Sequence, residues 1–290
     1  LRLMADNEIP TVGMCMGEIG TPSRILAAKF GAPFTYATFH HERALAPGQL
    51  SFRQMTETYG YDQIDAETEV YGVIADPVGH SLSPIIHNAA FQAMNMKKVY
   101  VPFRIPQEHL QQFIKDAPSL GIKGLSVTIP HKESVISLCQ KVDGAVRGID
   151  AVNTMLFTDD GIIGFNTDIR AAMDSLNRAM VEAGSGEISS KTALVLGAGG
   201  AARAICVGLK RCGAKIVIAA RTMLRAQPLA DQVEARLIEW EMRHAVNADI
   251  VINCTPLGMH PNVDETPFDK PYLRPSMIVF DTVYNPEQTL

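Results

Sequence analysis

The sequence predicts an α/β protein with a dinucleotide-binding unit of the Rossmann type in its C-terminal part, and three observations carry that expectation. At 290 residues the chain has room for about two domains. Short apolar, β-branched runs alternate along it with helix-start signals built on Ser, Thr, Asp or Pro, the pattern of strand–helix units. Finally, Leu194-Val195-Leu196 runs directly into Gly197-Ala198-Gly199-Gly200-Ala201-Ala202, a glycine turn between an apolar run and a helix-forming sequence.

In that turn Gly197 suits the bend after the strand, and Gly199 lets the backbone approach a pyrophosphate. Gly200 and Ala201 continue the turn toward a helix expected from Arg203, whose free N–H groups face the phosphates, and Ala202 fills the third slot of G-x-G-x-x-G/A, where a small side chain lets helix and strand pack closely. The helix runs to Arg211, Gly213 stops it, and Lys215 to Ala220 is a second β-rich run, so the motif lies inside a βαβ unit. An acidic residue ending the second strand would bond the ribose of NAD, whereas arginine accommodates the 2′-phosphate of NADP. Here stand Arg221, Thr222 and Arg225 with no carboxylate, which favours NADP. The plainer alternatives are a glycine turn that is only structural and arginines that form a solvated helix start.

Composition narrows the partners. With 47% hydrophobic and 20% charged residues and a net charge of −5, the chain is ordinary for a globular protein. That charge argues against nucleic acid or an anionic membrane surface as the main partner and leaves a small molecule. The five cysteines are scattered, without C-x-x-C or Cys/His metal spacing, so neither a disulfide framework nor a metal is expected. No apolar run approaches about 18 residues, and the first residues lack a basic stretch followed by an apolar core, so a cytoplasmic location is expected.

The remaining elements follow in order. Ile9 to Met16 reads as a buried strand, Pro22 to Phe30 as a helix closed by Gly31, Pro33 to Phe39 as a strand and Ser51 to Thr58 as a helix, a βαβα unit unable to close its own sheet edges. Tyr61 to Glu69 reads as a linker. Val70 to Ala75 opens a new domain as a strand, and Ser83 is placed as the N-cap of the next helix with Pro84 at its first position. Capping does not explain Ser81, and two hydroxyls at a positive helix end suit a carboxylate ligand.

Lys98 to Phe103 is the next strand, Pro106 to about Ala117 a helix and Gly124 to Thr128 a strand. Ile129-Pro130-His131-Lys132 then heads a predicted helix, where lysine opposes the dipole at a cost of about 0.3 to 1 kcal/mol and calls for an acidic partner or a substrate oxygen. The candidate partner is Asp168, beyond a hairpin that starts at Val152-Asn153-Thr154 and turns at Asp159-Asp160-Gly161. Alone, Asp168 reads as a helix cap. With Lys132 it shares a strand-to-helix position, where open α/β sheets gather ligand groups. Met277 to Thr282 is a last strand, followed by a turn at Tyr284-Asn285-Pro286.

Gly17-Glu18-Ile19-Gly20-Thr21-Pro22-Ser23-Arg24, Lys29-Phe30-Gly31 and Ala46-Pro47-Gly48-Gln49 resemble the last two βα units of a type I 3-dehydroquinate dehydratase barrel. The resemblance makes residues 1–65 a partial (β/α)8 barrel remnant and implies that Arg24 and Gln49 stand where that family binds substrate. Leu45 replaces a serine usual two residues before the proline. The family's Schiff-base lysine and catalytic histidine come from earlier strands, so no dehydratase chemistry is expected of this chain.

Ser81-Leu82-Ser83-Pro84, the run Ser126 to Lys132, Gly148 to Thr154 and Gly164-Phe165-Asn166-Thr167-Asp168 resemble the substrate-binding half of the shikimate dehydrogenase family, assigned to residues 66–185. The glycine turn, Arg221-Thr222, Asn253 to Met259 and Asp281 to Pro286 resemble its NADP-binding Rossmann half, assigned to 186–290. The order of the pieces resembles the fused dehydratase–dehydrogenase of plants and some bacteria.

The resemblance implies NADP-dependent, reversible reduction of 3-dehydroshikimate to shikimate, a step toward chorismate and the aromatic amino acids. It implies Lys132 as the cation and proton donor at the carbonyl oxygen and Asp168 as the group that holds and tunes it. Ser81, Ser83 and Tyr284 would bind the ring carboxylate, Thr128 and Asn153 the ring hydroxyls, and Thr255, Gly258 and Met259 would lie on the cofactor side. His131 receives no chemistry. Ile149-Asp150 replaces a usual small pair, and Ala220 replaces an asparagine, removing one adenosine-side contact.

In the family the segment after the position of Leu290 returns a glutamine to the substrate, so these 290 residues are expected to be weakly stable and to keep NADP better than shikimate. Two alternatives remain. One is an NAD-dependent quinate/shikimate dehydrogenase, against which Arg221 and Arg225 argue. The other is a non-catalytic nucleotide- or shikimate-binding remnant, which would not need both Lys132 and Asp168. Oligomeric state stays open.

Overall fold

The structure is a computed structural model and describes residues 9–40, 46–79, 81–144, 146 and 148–290. His80 and the departure at Leu45 lie outside the described residues. The chain forms two compact units, one of Leu1–Val142 with Val152–Gly164, the other of Asp143–Ala151 with Phe165–Leu290. Among the described residues no helix is long and apolar enough to cross a membrane.

The first unit begins with the barrel segment. Helix α1 (Thr21–Ile25) and a 3-10 turn at Ala28–Phe30 replace the single predicted helix, and Gly31 ends them in the left-handed region at φ 80°. The strands expected at Ile9 to Met16 and Pro33 to Phe39 do not form. A strand needs a ladder for its N–H and C=O groups, and among the described residues here the pairing reduces to one parallel bridge between Thr38 and Ser51. Backbone bonds go to turns instead, as from Gly17 N–H to the Pro47 carbonyl at 3.0 Å. The second predicted helix forms over residues 52–58 and is π-helical at Gln54–Thr58.

The sheet of this unit has the order β2-β1-β3-β5-β6-β4. Its strands are β1 (Glu69–Ala75), β2 (Lys98–Arg104), β3 (Ile122–Val127), β4 (Lys141–Val142), β5 (Thr154–Thr158) and β6 (Gly161–Phe165). β1 runs parallel to both β2 and β3, whereas β5 returns antiparallel to β3. Helices α2 (Ser83–Ala93) and α3 (Leu110–Asp116) belong to this unit. Asn88 pins α2 to the sheet: its amide donates to the Tyr100 carbonyl and accepts from the Tyr100 N–H, both at 2.8 Å. No helix follows Lys132. The chain there makes turns and one 3-10 turn at Ile136–Leu138, so the dipole penalty expected for Lys132 does not arise.

The second unit holds helix α4 (Asp168–Glu182) and a parallel sheet ordered β11-β10-β7-β8-β9, where β7 is Thr192–Leu196, β8 Lys215–Ala220, β9 Arg236–Glu239, β10 Ile250–Asn253 and β11 Ile278–Asp281. Helices α5 (Gly200–Arg211) and α6 (Met223–Val233) connect β7 to β8 and β8 to β9. Ala193, Val195, Ile216, Ile218, Ile250 and Ile252 pack on one face, and Leu194, Leu196, Val217, Ala219 and Val251 on the other. Burial on both faces is why these strands read as continuous apolar runs. α4, placed by sequence within 66–185, packs here: a Cβ on Gly208 of α5 would lie 2.8 Å from Cγ of Met173 of α4. Ile149 and Ala151 also join this core.

Candidate active site

In the first unit β1 and β3 are parallel neighbours, so the segments leaving their C-terminal ends emerge on one sheet edge. The segment after β1 carries Ser81 and Ser83, and the segment after β3 carries Thr128 and Lys132. α2 starts at Ser83 itself, with Leu82 in the N-cap position and no side-chain cap. The Ser83 N–H faces Ser81 Oγ at 3.3 Å. Ser83 is therefore not the expected cap, and the Ser81 hydroxyl, two residues earlier, accepts from the first N–H of the helix.

The Ser83 hydroxyl instead meets the Tyr100 hydroxyl, which donates to Ser126 Oγ at 2.7 Å. Burial pushes the Tyr100 phenol up, and both serines pull it partly back. Tyr100 and Ser126 are thus neighbours of the expected substrate serines that sequence reasoning did not find. Their meeting depends on the sheet order, with β1 between β2 and β3, and no local pattern encodes it.

The turn carrying Lys132 is held from three sides. The Thr128 N–H donates to the Ile74 carbonyl and the Asp76 N–H to the Ile129 carbonyl, each at 3.1 Å. The Val127 N–H donates to the Asn153 carbonyl at 2.7 Å and the Val152 N–H to the Lys132 carbonyl at 2.8 Å. Thr128, Lys132 and Asn153 therefore share one short stretch of paired backbone. Below them His131 is fully buried, with Nε2 2.7 Å from the Ile105 carbonyl and Nδ1 2.9 Å from Gln107 Oε1. Burial lowers its pKa, and the ring's contact with the Ile105 carbonyl ties the turn to the residue following β2.

In the barrel segment Arg24 is only 3% exposed; its Nη1 lies 3.3 Å from Met14 Sδ and Nη2 3.8 Å from Met16 Sδ. Among the described residues its Nε has no hydrogen-bond partner. Thioethers are weak acceptors, so this buried cation is poorly satisfied by the protein. Gln49 lies in the loop closed by its N–H to the Ala46 carbonyl at 3.2 Å.

The second unit builds the glycine turn as expected. Gly197 has φ 100°, and its N–H donates to the Ala219 carbonyl at 2.9 Å. That bond sets Arg221, two residues beyond Ala219, beside the turn. α5 starts earlier than expected, at Gly200, with Gly199 as N-cap at φ −82°. A Cβ built on Gly199 would meet nothing within 4 Å, so open space faces the helix mouth formed by Gly200 and Ala201, as a phosphate cradle requires. Ala202 is fully buried in the core. Arg221, Thr222 and Arg225 are exposed where α6 begins, with Thr222 as its N-cap. These residues fit a dinucleotide carrying a 2′-phosphate.

Beyond β10, Thr255 donates through both its N–H and its hydroxyl to Asn253 Oδ1, at 2.9 and 2.7 Å. The buried Asn253 amide donates to Asp281 Oδ1 at 3.0 Å and to the Leu257 carbonyl at 3.2 Å. This network shapes the loop that ends in Gly258, at φ 86°, and Met259. Asn253 and Asp281 are the supports that sequence reasoning left without a role. Asp168 is the first residue of α4, not its cap: Thr167 holds the N-cap position, and the Asp168 N–H donates to Asn166 Oδ1 at 2.9 Å. Asp168 is partly buried. Tyr284 is exposed in the turn after β11.

Residues 73–155 match the family model described as shikimate dehydrogenase substrate binding domain, residues 179–268 that of shikimate / quinate 5-dehydrogenase, and residues 1–66 that of type I 3-dehydroquinase. The chloroplastic bifunctional 3-dehydroquinate dehydratase/shikimate dehydrogenase of Arabidopsis thaliana is 40% identical over 295 residues, covering 97% of this chain; the chain spans 49% of that relative's length. A shikimate dehydrogenase (NADP(+)) of Caldanaerobacter subterraneus is 41% identical over 238 residues, covering 79% of this chain and 82% of the relative. The crystal structure of a shikimate dehydrogenase in complex with NADP+ matches with a TM-score of 0.71 at 38% identity, covering 78% of this chain and 80% of that one.

Proposed function

The chain belongs to the shikimate dehydrogenase family, and we propose that it catalyses the reversible, NADP-dependent reduction of 3-dehydroshikimate to shikimate. The observation that carries this reading is the pinned turn Thr128 to Lys132. Its backbone bonds tie the segment of Thr128 and Lys132 to that of Asn153, at the same end of the sheet as the segment carrying Ser81 and Ser83. Reduction of a ketone places negative charge on its oxygen, and a preorganised cation stabilises that charge more in the transition state than in the ground state. Lys132 supplies the cation and the proton; Asp168 tunes it and accepts a substrate hydroxyl. Ser81 and Ser83, with Tyr284, bind the ring carboxylate, and Thr128 and Asn153 orient the ring hydroxyls.

When bound, NADPH supplies the hydride. The glycine turn 197–201 receives its pyrophosphate, Arg221, Thr222 and Arg225 its 2′-phosphate, and Thr255, Gly258 and Met259 its nicotinamide side. By origin the segments are 1–65, 66–185 and 186–290, and in the first of these Arg24 and Gln49 stand at the positions where the dehydratase family binds substrate. Shikimate oxidation followed by NADPH absorbance, with NADP and NAD compared, tests the proposal. Turnover with NADP well above NAD is expected. Preference for NAD would indicate the quinate/shikimate alternative, and cofactor binding without turnover a remnant.

A further inference from the structure

Glu18 stands in the 3-10 turn Glu18–Gly20 of the barrel segment. Its Oε2 accepts from Arg104 Nη1 at 3.0 Å, and Arg104 Nε donates to Asp76 Oδ1 at 2.8 Å. Arg104 ends β2 and Asp76 directly follows β1, so one guanidinium is forked between a barrel carboxylate and the root of the loop leading to Ser81. The other oxygen of Glu18 rests on that same loop: a Cβ added to Gly79, two residues before Ser81, would lie 2.8 Å from Glu18 Oε1. The Asp76 N–H in turn donates to the Ile129 carbonyl, inside the turn that carries Lys132.

We propose that Glu18 is a positioning residue for the dehydrogenase site, through which the barrel segment braces the loop bearing Ser81 and Ser83. This rests on the function proposed above. Among the described residues of the loop, the Ser81 N–H to the Val78 carbonyl, at 3.0 Å, and the Ser83 N–H to Ser81 Oγ, at 3.3 Å, close only local turns. Without the carboxylate behind Gly79 the loop samples more conformations, and binding shikimate must pay the ordering cost. The Lys132 turn keeps its other backbone bonds and His131, so the chemical step is spared.

The test uses the full chain and steady-state kinetics for shikimate and NADP, with thermal unfolding alongside. Glu18→Gln keeps the shape and removes the charge. It is expected to raise KM for shikimate about 3- to 10-fold, the scale of one charge-assisted contact, while kcat and KM for NADP stay within about twofold. Glu57→Gln, which breaks the exposed Arg53–Glu57 pair on the same segment, should change none of these. Gly79→Ala provides the reciprocal probe: its methyl meets Glu18 in the wild-type background and open space in Glu18→Ala, so its effect on KM should largely vanish in the double variant.

An unchanged KM for shikimate in Glu18→Gln overturns the inference while leaving the proposed function intact. So does a change that moves kcat, both KM values and the unfolding temperature together, or strict additivity of Gly79→Ala with Glu18→Ala. A wild-type chain that fails to oxidise shikimate refutes the function itself, and the inference falls with it.

Discussion

Two glycines of the cofactor turn separate folding from binding. Gly197 sits at φ 100°, and a Cβ there would lie 3.1 Å from the Cys254 carbonyl oxygen and 3.2 Å from Thr255 Cγ2. Gly197→Ala therefore stores backbone strain of about 1 to 3 kcal/mol and presses on the Asn253–Thr255 network. Gly199, at φ −82° with nothing near its would-be Cβ, is different. Replacing it by alanine restricts the unfolded chain, worth about 0.4 to 1 kcal/mol, but puts a poor residue at an N-cap, costing a similar amount. The two terms offset, and the net change in stability should stay within about 0.5 kcal/mol.

The added methyl nevertheless fills the space before the helix mouth, so NADPH affinity should fall by about tenfold or more, or about 1.4 kcal/mol. Denaturant unfolding monitored by circular dichroism reads the first quantity, and calorimetric titration with NADPH reads the second. If Gly199→Ala destabilises the chain as much as Gly197→Ala, or if it binds NADPH like wild type, the assignment of this turn to phosphate binding is wrong.

Lys132→Ala should lower kcat at least about 100-fold with NADP affinity unchanged, as expected for a positioned acid; near-normal kcat would remove Lys132 from the mechanism. Arg221→Ala should raise KM for NADP far more than for NAD, and equal effects would leave Arg221 as a surface residue. Stability should depend on pH through His87, His131 and His244, whose pKa values are all lowered, chiefly by burial. Their unfolded value is about 6.5. Below it the unfolded chain takes up protons that the folded rings resist, so stability is fully present above about pH 6.5 and declines as pH falls further. Unfolding titrations at several pH values check the sign, and His131→Gln should flatten the slope.

The cofactor unit was largely legible because its signals are local: β7, its glycine turn and α5 follow one another in 20 residues, Thr192 to Arg211. The substrate unit was legible as strands and as a set of polar residues at their ends. What failed had non-local causes. Ile9 to Met16 has a strand's composition but no ladder partner among the described residues, and Ile129 to Lys132 resembles a helix start until Val152 and Asp76 claim its backbone. The contact of Tyr100 with Ser126 and Ser83 crosses strand order, and Glu18 reaches Arg104 across 86 positions of sequence; no window of residues contains either pair. Asn253 and Asp281 were visible as letters, but their joint hold on Thr255 exists only once β10 and β11 lie side by side.

The chain enters the second unit at Asp143, leaves after Ala151 and re-enters at Phe165, and this has a consequence for exchange of parts between proteins. Ile149 and Ala151, both fully buried, and the α4 residues Ile169, Ala172, Met173, Leu176 and Met180 complete a core otherwise made by residues from Ile188 onward. A gene segment cut anywhere between α4 and β7 would yield a nucleotide-binding half missing those side chains. Each large one left out opens a void costing about 2 to 5 kcal/mol. Recombination can then carry the glycine turn into a new protein only together with the preceding hairpin, and with it the Asn153 strand. A transferred glycine turn would thereby bring part of the substrate-side sheet with it.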